Sequence, residues 1–246
     1  VRRAGAGALA LLLGAALAGP GAAGAEDVVA VYLGVAWAPR SDLRLREPGG
    51  TDVTYHDVSW RTRSLTGPVY YGVRLTHWLE ERPGVGVALD FTHAKIYLRD
   101  TSVRVTGTRG GTPVDQVEPV SDAIRSFNNS HGVNLLTVNA LARAGAPPAD
   151  GPGEGRRLRP YAGVGVGLAV PHVEAEIGGG ATGEYQVTGP AVQALAGLEA
   201  RTGGRWTVFG EYKAARARLH ERLHGGRAAA LDVTVHQVVG GVGRRF

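Results

Sequence analysis

Cysteine is absent from the 246 residues. That excludes a disulfide framework, a thiolate nucleophile and a thiolate metal site. Beyond residue 26 there is no continuous apolar stretch of the ~20 residues that a membrane-crossing helix needs. Two common catalytic signatures are missing as well: a G-x-S-x-G elbow and a Walker-type glycine loop. Gly163, Gly165 and Gly167 imitate part of a dinucleotide fingerprint, but no helical pattern follows them. The formal net charge is +5, yet the arginines are scattered among turns with no aromatic stacking platform between them. Nucleic acid is therefore set aside, and an anionic membrane surface suits that charge better.

What is present begins with a leader. Arg2 and Arg3 precede a mostly apolar run from Ala8 to Ala18, and Ala23-Gly24-Ala25 offers small residues before Glu26. This is the order of a secretory signal peptide, and the apolar run is too short to serve as a spanning anchor. The expectation is a cleavable signal peptide over 1–25 and one domain over 26–246.

In that domain apolar residues alternate with small or polar ones. From Arg159 to Val170, the residues Ala162, Val164, Val166, Leu168 and Val170 fall on one face, and Tyr161, Gly163, Gly165, Gly167 and Ala169 on the other. A strand turns successive side chains to opposite faces, so each such segment is a ribbon with one greasy side. Eight segments have this character: Val28 to Ala38, Val69 to Leu79, Val85 to about Tyr97, Val133 to Arg143, Arg159 to Val170, Pro190 to Arg201, Trp206 to about Ala217, and Leu231 to Phe246. The fold class that follows is all-β, an eight-stranded antiparallel transmembrane β-barrel with short periplasmic turns and longer extracellular loops. The long connections are Pro39 to Pro68, Arg99 to His131, Pro171 to Thr188 and Leu219 to Ala229. Residues 52–60 alternate too and read as either wall or loop. Ala144 to Leu158 is a Pro- and Gly-rich turn. Phe246 ends the last strand as an assembly signal for the barrel-assembly machinery would, although His236 and Arg244 break the outward apolar pattern set by Val238 and Val242.

Two sets of polar residues remain. Arg74, Asp90, Asn139, Gln193, Glu199, Glu211 and Lys213 point inward, where a narrow barrel is filled by its own side chains and charges pair with one another. His56, Asp57, His93, Lys95, His131, Asn134, His172, Glu174, Glu176, Glu184 and Tyr185 stand at strand tops and loop bases. Imidazole and carboxylate together suit Mn²⁺, Fe²⁺ or Zn²⁺, and histidine also serves as a general base. His93, His131, His172 and Glu174 are the candidates for a catalytic metal rim, and Lys95 for a substrate phosphate.

Several segments resemble the lipid A oxidase family. They are Asp90 to Lys95, His131 to Ala140, Arg159 to Tyr161 on through Pro171-His172-Val173-Glu174, Tyr185 to Pro190, and Phe209 to Lys213. The Pro-rich insert and the imperfect terminal strand depart from that likeness. The resemblance implies an oxidoreductase of the outer membrane, monomeric, acting on lipid A. Such enzymes oxidise the proximal glucosamine of lipid A to 2-aminogluconate, with molecular oxygen as co-substrate, a divalent cation (Mn or Fe) and peroxide as by-product. The competing expectation is a non-catalytic structural or surface-binding barrel.

Overall fold

The computed structural model describes residues 26–144 and 158–246. The signal-peptide reading of 1–25 and most of the Pro-rich insert lie outside the described residues. In chain order the strands begin with β1 (Glu26–Trp37), β2 (Ser41–Glu47), β3 (Thr51–Val58), β4 (Trp60–Arg61), β5 (Tyr71–Trp78) and β6 (Val85–His93). They continue with β7 (Ile96–Leu98), β8 (Ser102–Arg109), β9 (Thr112–Pro119), β10 (Ile124–Asn129), β11 (Leu135–Arg143) and β12 (Leu158–Ala169). The last are β13 (His172–Ile177), β14 (Gly180–Tyr185), β15 (Gly189–Gly203), β16 (Trp206–Leu223) and β17 (Arg227–Arg245).

An antiparallel ladder passes through β1, β5, β6, β11, β12, β15, β16 and β17 and returns to β1, so the sheet closes on itself. Closure leaves no open edge over the paired length, which satisfies the backbone without solvent. The alternation sorts the side chains as the sequence predicts. Val31, Leu33, Val35, Val138, Val192 and Val238 are exposed on the outside, and Val164 and Val166 are 65% and 66% accessible. Arg74, Asp90, Asn139, Gln193, Glu211 and Lys213 are buried inside.

Those interior charges form one network. Arg74 donates to both oxygens of Glu211 at 2.7 Å and to Asp90 at 3.0 Å. Lys213 Nζ donates to Asp90 at 3.0 Å, to Thr92 at 2.8 Å and to Tyr32 Oη at 2.7 Å, while Tyr32 donates to Asp90 at 2.6 Å. Gln193 links Asn139 at 2.9 Å to Asp90 at 3.2 Å. Two cations thus face two carboxylates, which is the arrangement that makes a buried charge tolerable. Small residues make room for it. A Cβ on Gly72 would overlap the Tyr32 ring, and one on Gly165 would overlap the Asn139 amide. Glu199 belongs to a separate group at the end of the ring, where Arg143 holds Glu26 at 2.9 Å and lies 3.5 Å from Glu199.

The long connections are more ordered than their polarity suggests. Pro39 to Pro68 contains β2, β3 and β4, and residues 52–60 are mainly strand. Arg99 to His131 contains β8, β9 and β10, and Pro171 to Thr188 contains β13 and β14. The Leu219 to Ala229 loop is mostly hairpin, because β16 and β17 run on past the apolar band and stay paired as far as Leu223↔Arg227. Above the band β17 exchanges its partner β1 for β2, and β2, β3, β8 and β9 extend the wall as a flared sheet. A second sheet runs β14, β13, β10, β7, β4. The reason is again alternation. Leu43, Leu45, Val53, Tyr55, Val103 and Val105 from the first sheet share one apolar core with Ile96, Ile124, Phe127, Val173, Ala175 and Ile177 from the second. Leu219, Leu231 and Val233 on the upper wall close that core. His236 and Arg244 keep the outward register of Val238 and Val242. His236 stacks on Trp37 at 5.4 Å and pairs with Tyr212 Oη at 2.6 Å, so it joins an aromatic girdle rather than breaking the strand.

Candidate metal centre

His131, His172 and Glu174 converge above the strands β6, β11 and β12. Each offers one ligand atom, and the three atoms lie within 4.8 Å of one another. Glu174 Oε1 stands 3.1 Å from His131 Nδ1 and 3.3 Å from His172 Nδ1. Donor atoms held ~2.1 Å from one ion stand roughly 3.0–3.4 Å apart, so the spacing fits a shared cation. His172 Nδ1 is buried and makes no well-aligned hydrogen bond among the described residues, which leaves it available as a donor. Two imidazoles and a carboxylate on one side of an open position form the donor set that Fe²⁺, Mn²⁺ and Zn²⁺ accept.

Local sequence explains the convergence. In β13, Val173, Ala175 and Ile177 are buried against the core, so His172, Glu174 and Glu176 must face the other way. β10 pairs with β13 and places Asn128 opposite Glu174, and the turn that follows β10 delivers His131. That turn is fixed by Asn134. Its Nδ2 donates to the carbonyls of His131 at 3.0 Å and Val170 at 3.1 Å. His172 N donates to the carbonyl of Gly132 at 3.1 Å. Gly132 has φ +89°, and a Cβ there would overlap His93 Nδ1 and Asn134 Oδ1. Only glycine satisfies both conditions.

His93 does not join the three. Its ring stacks on Tyr71 at 4.9 Å, and Nδ1 lies 2.8 Å from Asn134 Oδ1. It therefore supports the residue that supports the turn. Lys95 is buried, donates Nζ to the carbonyl of Thr66 at 2.7 Å, and is pushed below its usual pKa by burial. His56 lies on β3 with Thr106 at 2.8 Å and Asp42 at 3.3 Å, and Glu176 pairs with Arg125 at 2.9 Å. The histidines of the rim thus divide among three places: His131 and His172 at the centre, His93 against Asn134, and His56 on β3. The sequence alone could not separate them, because the decisive pairing of β10 with β13 joins segments about 50 residues apart. Tyr185, 60% exposed, flanks the centre with its ring 4.7 Å from that of His172.

No family model matches the chain, and no curated protein matches it. Among solved structures it is similar to the Neisserial surface protein A, with 10% identity and a TM-score of 0.43 over 92% of this chain and 100% of that one. It is also similar to Ail, the attachment invasion locus protein of Yersinia pestis, with 16% identity and a TM-score of 0.34 over 91% and 99%. The outer membrane protease OmpT of Escherichia coli shares 7% identity at a TM-score of 0.42 over 90% and 97%.

Proposed function

We propose that the chain is an eight-stranded outer-membrane barrel whose external end carries a divalent-metal centre, built from His131, His172 and Glu174, that oxidises lipid A. The apolar band supports the membrane part of this reading. Val29 to Trp37 covers about 26 Å of strand, or about 20 Å along the axis at a 40° tilt. That approaches the ~25 Å lipid-facing band of outer-membrane barrels. The connections over 39–68, 99–131 and 171–188 leave one end of the ring; the short turns, the Pro-rich connection and both ring termini lie at the other. External loops at the former end are the arrangement such barrels adopt.

One observation carries the functional part. The three ligands lie not in the mouth of the barrel but on its outer flank. His172 and Glu174 continue the outward alternation of Val164, Val166 and Leu168, and only a short segment separates Leu168 from His172. A centre at that height and orientation faces the headgroup of a neighbouring lipid. Exposed Tyr185 and Val187 border it on the lipid side.

The resemblance to lipid A oxidases supplies the reaction. The lactol carbon of the proximal glucosamine loses two electrons and two protons, oxygen becomes peroxide, and water opens the lactone to the 2-aminogluconate. When bound, Mn or Fe supplies Lewis acidity and one-electron chemistry. The chain's own part is to hold the donors rigidly. Asn134 fixes the His131 turn, His93 fixes Asn134, and β13 fixes His172 and Glu174. His93 is thus a positioning residue. The ring's lower seam places Phe246 beside Asp27, where its main-chain N–H donates at 2.9 Å. There it is available to the barrel-assembly machinery.

The test is mass spectrometry of lipid A from a host that expresses the chain and whose lipid A ends in an accessible proximal glucosamine with a free anomeric hydroxyl. A gain of one oxygen that depends on air, is abolished by chelation and is lost in His172→Ala supports the reading. Unmodified lipid A from a correctly inserted barrel overturns it in favour of a non-catalytic surface barrel.

A further inference from the structure

A second surface stands across the ring from the metal centre. It rests on the membrane reading but not on the oxidase. Above Ala214 the outward residues of β16 are Arg216, Arg218, His220 and Arg222, all exposed. On the far side of β17, β2 turns Arg44 and Arg46 outward. The strand between them is low: Ala230 lies opposite His220 on one side and Arg44 on the other, and Ala228 lies opposite Arg222 and Arg46. Two rows of long basic side chains therefore border a trough floored by alanine. A concavity occupies this place, lined by Arg40, Arg44, Arg216, Arg218, Asp232 and their neighbours.

The charges are organised and unbalanced. Asp232 accepts from Arg216 at 2.9 Å and from Arg218 at 3.0 Å, and Asp52 takes Arg44 through two bonds at 2.7 and 2.6 Å. These carboxylates orient the guanidinium groups without neutralising the face. Among the described residues, Arg40, Arg44, Arg46, Arg216, Arg218 and Arg222 face the smaller set Asp42, Asp52, Asp57 and Asp232. Planar guanidinium groups held in this way suit bidentate recognition of phosphate.

Position selects the ligand. The trough faces sideways, in the same direction as the apolar band. Arg216 is four residues beyond Tyr212 of the aromatic girdle, about 10 Å along the axis of a tilted strand. Anions found beside a barrel at that height are those of lipid headgroups. We propose that this trough is a docking shelf for the phosphate groups of an outer-leaflet lipid, on the wall opposite the metal centre.

The test uses the full chain refolded with lipid vesicles and separated by flotation, with diphosphoryl lipid A and its dephosphorylated form as probes. The expected result is selective retention of the diphosphoryl form, weakened by salt. In Arg44→Gln/Arg216→Gln/Arg218→Gln retention should fall by about tenfold, as for loss of charge-assisted bonds. Arg104→Gln, which removes an exposed arginine paired with Asp115 on the flared sheet, should leave it unchanged. Strand content and heat-modifiable migration check that the triple variant folds. If it does not, phosphate selectivity and salt dependence of the wild type still decide. Equal retention of both lipids, or equal loss with Arg104→Gln, overturns the shelf while the membrane reading stands. A chain that binds a soluble sulfated polyanion but shows no lipid phosphate preference overturns it too. A folded chain that does not float with vesicles removes both.

Discussion

Arg74 and Glu211 meet inside the ring through two hydrogen bonds of 2.7 Å, although 137 residues separate them. β5 and β16 are not neighbours in the ladder, so this pair ties opposite parts of the wall across the interior. Tyr161 donates to the same carboxylate at 2.8 Å. Glu211→Ala leaves Arg74 buried with one carboxylate partner fewer. The expected loss is about 3–5 kcal/mol, the usual cost of breaking a buried pair from one side. Urea unfolding in micelles, followed by tryptophan fluorescence, measures it, and an unchanged midpoint would remove the network from the stability of the barrel.

Gly72→Ala should be nearly as damaging, through space rather than charge. Its methyl overlaps the Tyr32 ring, which is held by Asp90, Thr92 and Lys213. Trimming Tyr32 in the double variant should restore folding in part, but with the hydroxyl's bonds lost. Yield of heat-modifiable barrel reports both results, and no rescue would show that the overlap is not the fault.

At the candidate centre, Gly132→Ala forces a side chain onto a left-handed residue and against His93 and Asn134. It touches none of the three donors. Manganese affinity, read by electron paramagnetic resonance of the free ion, should nevertheless fall by roughly 10–100-fold, as when supporting shells of metal sites are disturbed. An affinity equal to wild type would separate the turn from the centre.

Glu174→Gln keeps the shape of the side chain and removes its charge. A cation site should lose most of its manganese affinity, whereas a simple hydrogen-bonded rim should bind no ion in either form. Identical, measurable binding by both chains would exclude Glu174 as a ligand.

Glu221 gives the part above the band a pH dependence. It is 1% exposed on the section of β16 beyond the apolar band, and burial raises its pKa to about 8 against a weak opposing bond from Asn129 at 3.4 Å. An acid whose folded pKa is raised binds its proton more tightly when folded. Its folded form is therefore unpenalised below the ordinary value near 4.5 and loses stability as pH rises from there to about 8. Glu221→Gln should flatten that dependence. Hydrogen exchange of Asn129 and its neighbours at pH 5 and pH 8 is the check, and equal protection in wild type at both would contradict it.

The wall of the barrel was legible because period-two alternation survives on every ring strand, and Val164, Gly165 and Val166 already announce which side each faces. Arg74, Asp90, Glu211 and Lys213 were legible for the same reason: polar residues at inward positions of a narrow ring must meet. The upper sheets were not. Their strands are short and rich in Thr, Asp and Arg, and their apolar residues, such as Val53, Tyr55 and Phe127, bury only once two distant segments face each other. Parity placed His172 and Glu174 together. The exclusion of His93 depended on Asn134, whose left-handed φ of 47° turns its amide between the two histidines, and alternation carries no signal for that.

The core shared by the two upper sheets sits over the end of the ring, continuous with Tyr32 and Val239 inside it. Packed apolar side chains of the described residues thus fill the upper end of the ring. The lipid substrate of the proposed centre on the outer flank arrives within the leaflet, as a two-dimensional search by molecules already concentrated there. Supply of lipid to such a centre is set by lateral mobility and lipid composition, while oxygen and the cation reach it from solution.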